Sequence, residues 1–315
     1  MPRAVSIHIG VNQPSERSPG RELGQSETTA WRMAGLAGQA GYHSIQVLRG
    51  PAATRNAVNG ALAGAAGILE AGDTLLVTFS GHGDHAPNLA GEERNDEDEF
   101  WCLFDGRLLD DQLAGYWRLF QPGVRIVVVS ESCHSGGMER TGGKPHAWAS
   151  HGAAAWAPPP DAGRRRMRDG GASWRGPEPV DAAVSSATAS CIAQPPRDRY
   201  EIRASVLMLT ASHEDQKAQD GLFTRHLLAV WSDGGFDGSY CGLYHDVRQR
   251  VMNEKSDQEP QILILGAADP SFALEPAFRV EEDRSPLAAK LYRDGEQTAP
   301  RVEHDREPHS TVRYR

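Results

Sequence analysis

The chain has 315 residues, with 33 Lys plus Arg against 42 Asp plus Glu, a formal charge of −9. Its 39% hydrophobic residues suffice for a full buried core, which excludes a disordered tail or a disulfide miniprotein. The acidic balance argues against nucleic acid or an anionic membrane as partner, because both select basic residues, and suits a cationic substrate.

Residues 4–9 read as a strand and residues 26–41 as a helix, with Ser26 as its cap, Glu27 in its first turn and Gly41 at its end. A second strand is expected at 43–48. Residues 54–71 combine a Thr54 cap with a long Ala/Leu/Ile face and a closing Gly72, and the uninterrupted apolar run at 73–79 reads as a strand covered on both faces. A helix at 110–120, a Pro122-Gly123 turn and a further buried strand at 124–130 follow. This alternation predicts a mainly parallel α/β sheet in three layers.

Between about residues 139 and 200 the rhythm fails, with PPPDAGRRRMRDGG, GPEP and QPP in one stretch, the composition of a loop. The pattern resumes with a strand at 204–210, helices near 221–232 and 240–253, and a strand at 261–265. Residues 281–315 are charged and poor in large apolar groups and are expected to be irregular. The expected organisation is therefore a first part at 1–138, an insert at 139–200, a part at 201–280 completing the same sheet, and a tail at 281–315.

Cys102, Cys133, Cys191 and Cys241 form no CxxC pair, so neither a disulfide framework nor a zinc ribbon is expected. The start MPRAVSIHIG lacks the apolar run of a secretory signal, and no run approaches a membrane span, so a cytoplasmic protein is expected.

Two segments place reactive side chains directly after a buried strand: Phe79-Ser80-Gly81-His82-Gly83-Asp84, and Ser130-Glu131-Ser132-Cys133-His134-Ser135-Gly136-Gly137. In parallel α/β sheets ligands bind where strands end at their carboxyl side. If these two strands are neighbours, His82 and Cys133 face one crevice, a thiolate nucleophile with an imidazole to manage its proton. The flanking glycines let a substrate backbone approach and leave N–H groups free for an oxyanion. A lone cysteine after an apolar strand is more often a small buried hydrophobe, so the pairing carries the reading.

These segments resemble the caspase-like cysteine peptidases of the metacaspase type, whose Ser-Gly-His-Gly pattern matches Ser80 to Gly83. Their Asp-Ser-Cys-His-Ser-Gly pattern matches Glu131 to Gly136, with Glu in place of Asp. The His82 to Cys133 separation also lies close to the roughly 50 residues typical of caspases. Further likenesses are Asp98 to Asp105, Leu109 to Leu113, Thr210 to Gln216 and Asp220 to Thr224, so the resemblance spans about residues 5–272. It implies a three-layer caspase-like fold with a mainly parallel six-stranded sheet. Cys133 would be the nucleophile, His82 the general acid/base, and the N–H groups of Gly83 and Cys133 the oxyanion hole.

The resemblance further implies cleavage after basic residues, arginine before lysine, in protein or peptide substrates. Glu131 and Ser80 stand at pocket positions. The family's other pocket acid falls on Gln25-Ser26-Glu27-Thr28 and is missing or displaced, so Glu214 or Asp215 is expected to compensate. Calcium is a possible activator through Asp98, Asp110 and Asp111, although the two last also suit a helix's first turn. Arg164, Arg165, Arg166, Arg168 and Arg175 in the insert are candidate cleavage sites, by the enzyme itself or by an upstream protease. A monomer is expected. The alternative is a catalytically silent caspase-like module that regulates or scaffolds a partner.

Overall fold

The structure is a computed structural model that describes residues 2–15, 22–87, 97–132, 202–213, 216–267 and 270–280. Its centre is a six-stranded sheet of β1 (Ala4–Gly10), β2 (Ser44–Arg49), β3 (Thr74–Ser80), β7 (Arg125–Glu131), β8 (Ser205–Thr210) and β9 (Gln261–Gly266), ordered β2-β1-β3-β7-β8-β9. Neighbours are parallel except β8 and β9. The sheet is thus mainly parallel, as the alternation of segments implies.

Strand alternation sorts the side chains into two cores. Ile7, Ile9, Val77, Phe79, Ile126 and Val128 face α2 (Arg55–Ile68) and α3 (Asp110–Trp117). Leu76, Val127, Val129, Leu207 and Ile264 face α1 (Ser26–Gln39), α4 (Leu222–Trp231) and α5 (Tyr240–Glu254). Helices on both faces make the central strands continuously apolar. β8 and β9 lie far along the chain from β7, yet they belong to the same sheet.

Thr54 caps α2 as its sequence indicates, its Oγ1 accepting from Ala57 N–H at 3.2 Å. Ser26 does not cap α1: Gln25 holds that position without a side-chain bond, and Asn12 Oδ1 instead accepts the Glu27 N–H at 3.0 Å. Gly10 has no room for a side chain, since a Cβ there would fall 2.5 Å from Ser26 O, and this lets α1 start directly over the end of β1.

A second, antiparallel sheet of β4 (Gly83–Pro87), β5 (Glu97–Leu103) and β6 (Gly106–Leu109) was not evident from periodicity. Cys241 is disulfide-bonded and Cys102 is free. Among the described residues no helix is long and apolar enough to cross a membrane.

Candidate active site

β3 and β7 are neighbours, paired from Thr74↔Arg125 to Ser80↔Glu131. Both strands run one residue further than their apolar runs indicate. Backbone bonds continue the ladder: Val11 N–H donates to Ser80 O at 3.0 Å and Gly81 N–H to Glu131 O at 3.2 Å. His82 follows at once, and Ser132, the residue before Cys133, follows β7. The two motif-bearing turns therefore leave adjacent strands at the same, carboxyl end of the sheet. Cys133 itself lies outside the described residues, as do Glu214, Asp215, Arg164, Arg165, Arg166, Arg168 and Arg175.

The small sheet anchors the His82 turn and the carboxyl end of β7. Cys102 N–H donates to His82 O at 2.9 Å, and Gly83 pairs with Trp101. Trp101 is fully buried and stacks on Phe79 of β3, ring centroids 4.5 Å apart. Its Nε1–H donates to Ser130 Oγ at 3.1 Å, and Ser130 Oγ lies 3.3 Å from Ser132 Oγ. One indole thus packs on the strand before His82 and hydrogen-bonds into the strand before Cys133. The sequence offered only the acidic residues around Trp101 as a signal, and its role was missed.

Glu131 and Ser80 occupy paired positions, and side chains of paired strand residues project to the same face. Both are buried, and Glu131 Oε2 and Ser80 Oγ have no hydrogen-bond partner among the described residues. The other carboxylate oxygen of Glu131, Oε1, accepts Thr224 N–H at 3.1 Å. Thr224 lies in the first turn of α4, whose cap position is Gly221, a residue with no side chain to offer and a φ of 74°. Glu131 therefore satisfies an open helix N–H from across the sheet. Burial pushes its carboxyl up to about 7; Asp220 adds to this and Thr224 and Phe223 oppose it.

Asp220 is the acid that reaches the early segment. Its Oδ2 accepts Gly24 N–H at 2.7 Å and Gln25 N–H at 2.8 Å, and Ser26 Oγ–H donates to its Oδ1 at 3.3 Å. Glu27 lies against Gly50, and Thr28 is exposed. A signal existed in the Asp220-to-Thr224 motif, but no sequence spacing ties Asp220 to residues nearly two hundred positions earlier. A shallow cleft of about 100 Å³ between α1 and α4 is lined by Asp220, Thr224, Arg32 and Arg225, and it includes neither Glu131 nor His82.

Asp110 and Asp111 open α3, where Asp110 is buried and its Oδ1 accepts the Asp111 N–H at 2.8 Å. Asp98 stands on β5 opposite Ala86. No group of three or more potential ligands forms among the described residues, so no chemical step is assigned to calcium. Cys102 is buried, and burial pushes its thiol up to about 11, which makes it an inert packing group.

The model of the Peptidase C14 family, the caspase domain, matches residues 9–267. The chain belongs to this caspase-domain family. Among curated proteins it is similar to Metacaspase-1B of Aspergillus clavatus, 39% identical over 69 residues, which cover 20% of this chain and 17% of that protein. Metacaspase-1A of Aspergillus fumigatus is 38% identical over 69 residues, again 20% and 17%. The chain thus spans less than a fifth of the curated relatives it matches. Among solved structures it is similar to the Geobacter sulfurreducens protein GSU0716, with a TM-score of 0.65 and 29% identity over 89% of this chain and 100% of that one. This likeness covers both halves of the chain.

Proposed function

We propose that this caspase-domain protein is a cysteine endopeptidase that cuts polypeptides after basic residues, arginine in preference to lysine, with Cys133 and His82 as its dyad. The observation that carries the reading is the β3–β7 pairing, which ends in Ser80 and Glu131, with His82 two residues past the end of β3 and Ser132, which precedes Cys133 in the sequence, just past the end of β7. Cys133 as thiolate attacks the scissile carbonyl, and the N–H groups of Gly83 and Cys133 hold the oxyanion. Imidazolium His82 gives its proton to the leaving amine, which departs and leaves a thioester. Neutral His82 then takes a proton from water, the hydroxide attacks the thioester, and Cys133 leaves as thiolate.

In this reading Glu131 and Ser80 receive the basic side chain before the scissile bond, since both present an unpartnered buried oxygen on one face. Glu214 and Asp215 supply further negative charge. Arginine is favoured because its planar fork can meet two oxygens at once. The arginines at 164, 165, 166, 168 and 175 are cleavage sites that activate the chain as a zymogen, either by itself or by an upstream protease, and the enzyme works as a monomer on protein substrates.

Labelling with a peptidyl chloromethyl ketone tests the assignment. A compound ending in arginine should alkylate Cys133, located by peptide mass mapping, and its aspartate counterpart should not. Labelling of Cys102 in place of Cys133, or preference for the aspartate compound, contradicts it. No labelling even after the insert is nicked with an added protease indicates a silent regulatory module.

A further inference from the structure

Glu131 is buried, with one oxygen bound by the Thr224 N–H and the other, Oε2, without a partner among the described residues. Among the described residues, the groups around it supply no positive charge to match an anion there. From β3 come the Ser80 hydroxyl, also unpartnered, and beyond it His82, which lies at the strand end and has interactions of its own. From α4, Arg225 and His226 both turn to Glu254, at 2.5 and 3.0 Å. From α1, Glu27 lies against Gly50, and Arg32 lines the surface cleft with Asp220. Beyond β8, His213 lies 3.7 Å from Glu259. Among the described residues, the charged group that raises Glu131 further is Asp220, another acid.

Building on the pocket role given above, we propose that Glu131 in the protein without substrate is held as a neutral carboxylic acid and captures the substrate's basic side chain by releasing its proton to solvent. A buried carboxylate with no cation partner is disfavoured as an ion, and the neutral acid is the form the surroundings support. Its displacement up to about 7 agrees with this geometry. An arriving guanidinium changes both conditions at once: it brings the missing charge and N–H donors for Glu131 Oε2 and Ser80 Oγ. Capture and proton release then form one event, so the site takes cations more strongly as pH rises and loses them in acid. Thr224 N–H holds Oε1 in either state, so the carboxyl stays in place while its charge changes.

The test is binding of benzamidine, a small amidinium cation, to the full chain by calorimetry in two buffers of different ionisation enthalpy. Affinity should rise about tenfold per pH unit below about 7 and level off above it, with close to one proton released at the acid end. Glu131→Gln, which can still accept the Thr224 N–H, should fold with a cooperative thermal transition and bind benzamidine weakly, without pH dependence or proton release. Wild-type binding that is equally tight across this range, with no proton released, overturns the proton coupling and leaves the pocket role standing. A Glu131→Gln protein that binds as tightly as wild type, or a wild type that binds no benzamidine at any pH, overturns the pocket role and the coupling with it.

Discussion

Ser80 and Glu131 face each other across β3 and β7, both buried, each with a side-chain oxygen that has no partner among the described residues. Folding ordinarily avoids such pairs, because an unsatisfied buried oxygen costs about 1 to 3 kcal/mol. Their coincidence at the carboxyl end of the sheet is what a site for a donor-rich, cationic group requires. Ser80→Ala should leave the melting temperature unchanged or slightly raised, since it removes an orphan hydroxyl. The same variant should raise KM for arginyl peptides several-fold while changing kcat little, as steady-state kinetics would show.

The pH dependence of stability follows from two buried groups with opposite signs. Glu131 is raised from 4.5 unfolded to about 7 folded, so its stabilising contribution is complete below pH 4.5 and is lost as pH rises through 7. Glu131→Gln should therefore match wild type in thermal melts at acid pH and be the more stable protein above neutrality.

His8 acts in the other direction. It is fully buried in β1, hydrogen-bonded through Nδ1 to Thr78 Oγ1 at 2.9 Å, and burial lowers its pKa from 6.5 to about 3. The unfolded chain thus binds the extra proton between these values, and stability falls with pH across that window by up to about 1.4 kcal/mol per pH unit. His8→Asn, which keeps a partner for Thr78, should flatten this part of the acid-unfolding profile in denaturant titrations.

Trp101 ties the carboxyl ends of β3 and β7 together, so its substitutions separate packing from positioning. Trp101→Phe keeps a ring against Phe79 but removes the donor to Ser130, which should cost about 1 kcal/mol of stability. It should also lower kcat several-fold, because Ser132, next to the proposed nucleophile Cys133, loses its fixed neighbour. Trp101→Ala opens a cavity and should cost about 3 to 5 kcal/mol. A Phe variant with full kcat would show that the indole N–H has no positioning role.

The sheet was legible because its strands are short, uninterrupted apolar runs bounded by glycine and charge, and those expected at 73–79 and 124–130 begin one residue later and run one polar residue further at their carboxyl ends. Ser80 and Glu131 are polar although buried, so a hydrophobic criterion stops just short of them. The small sheet was hidden for a different reason. Its strands carry Asp84, Glu97, Asp98 and Glu99, which read as an acidic stretch, and its order comes from antiparallel pairing with the His82 turn. Ser26 was a reasonable cap by residue type, yet Asp220 binds its hydroxyl and Asn12 takes the helix N–H, which are long-range contacts that local sequence cannot express. The burial of Glu131 likewise depends on α4, ninety-odd residues downstream, and only its position next to Ser132-Cys133 was visible beforehand.

The most direct measurement of the central claim is fluorophore release from matched peptides ending in Arg, Lys or Asp, by wild type, Cys133→Ala, His82→Ala and Cys102→Ala, before and after the insert is nicked. The account predicts cleavage after Arg above Lys, none after Asp, loss in the Cys133 and His82 variants, and full activity in Cys102→Ala. Cleavage after Asp, or activity that survives Cys133→Ala, would contradict it.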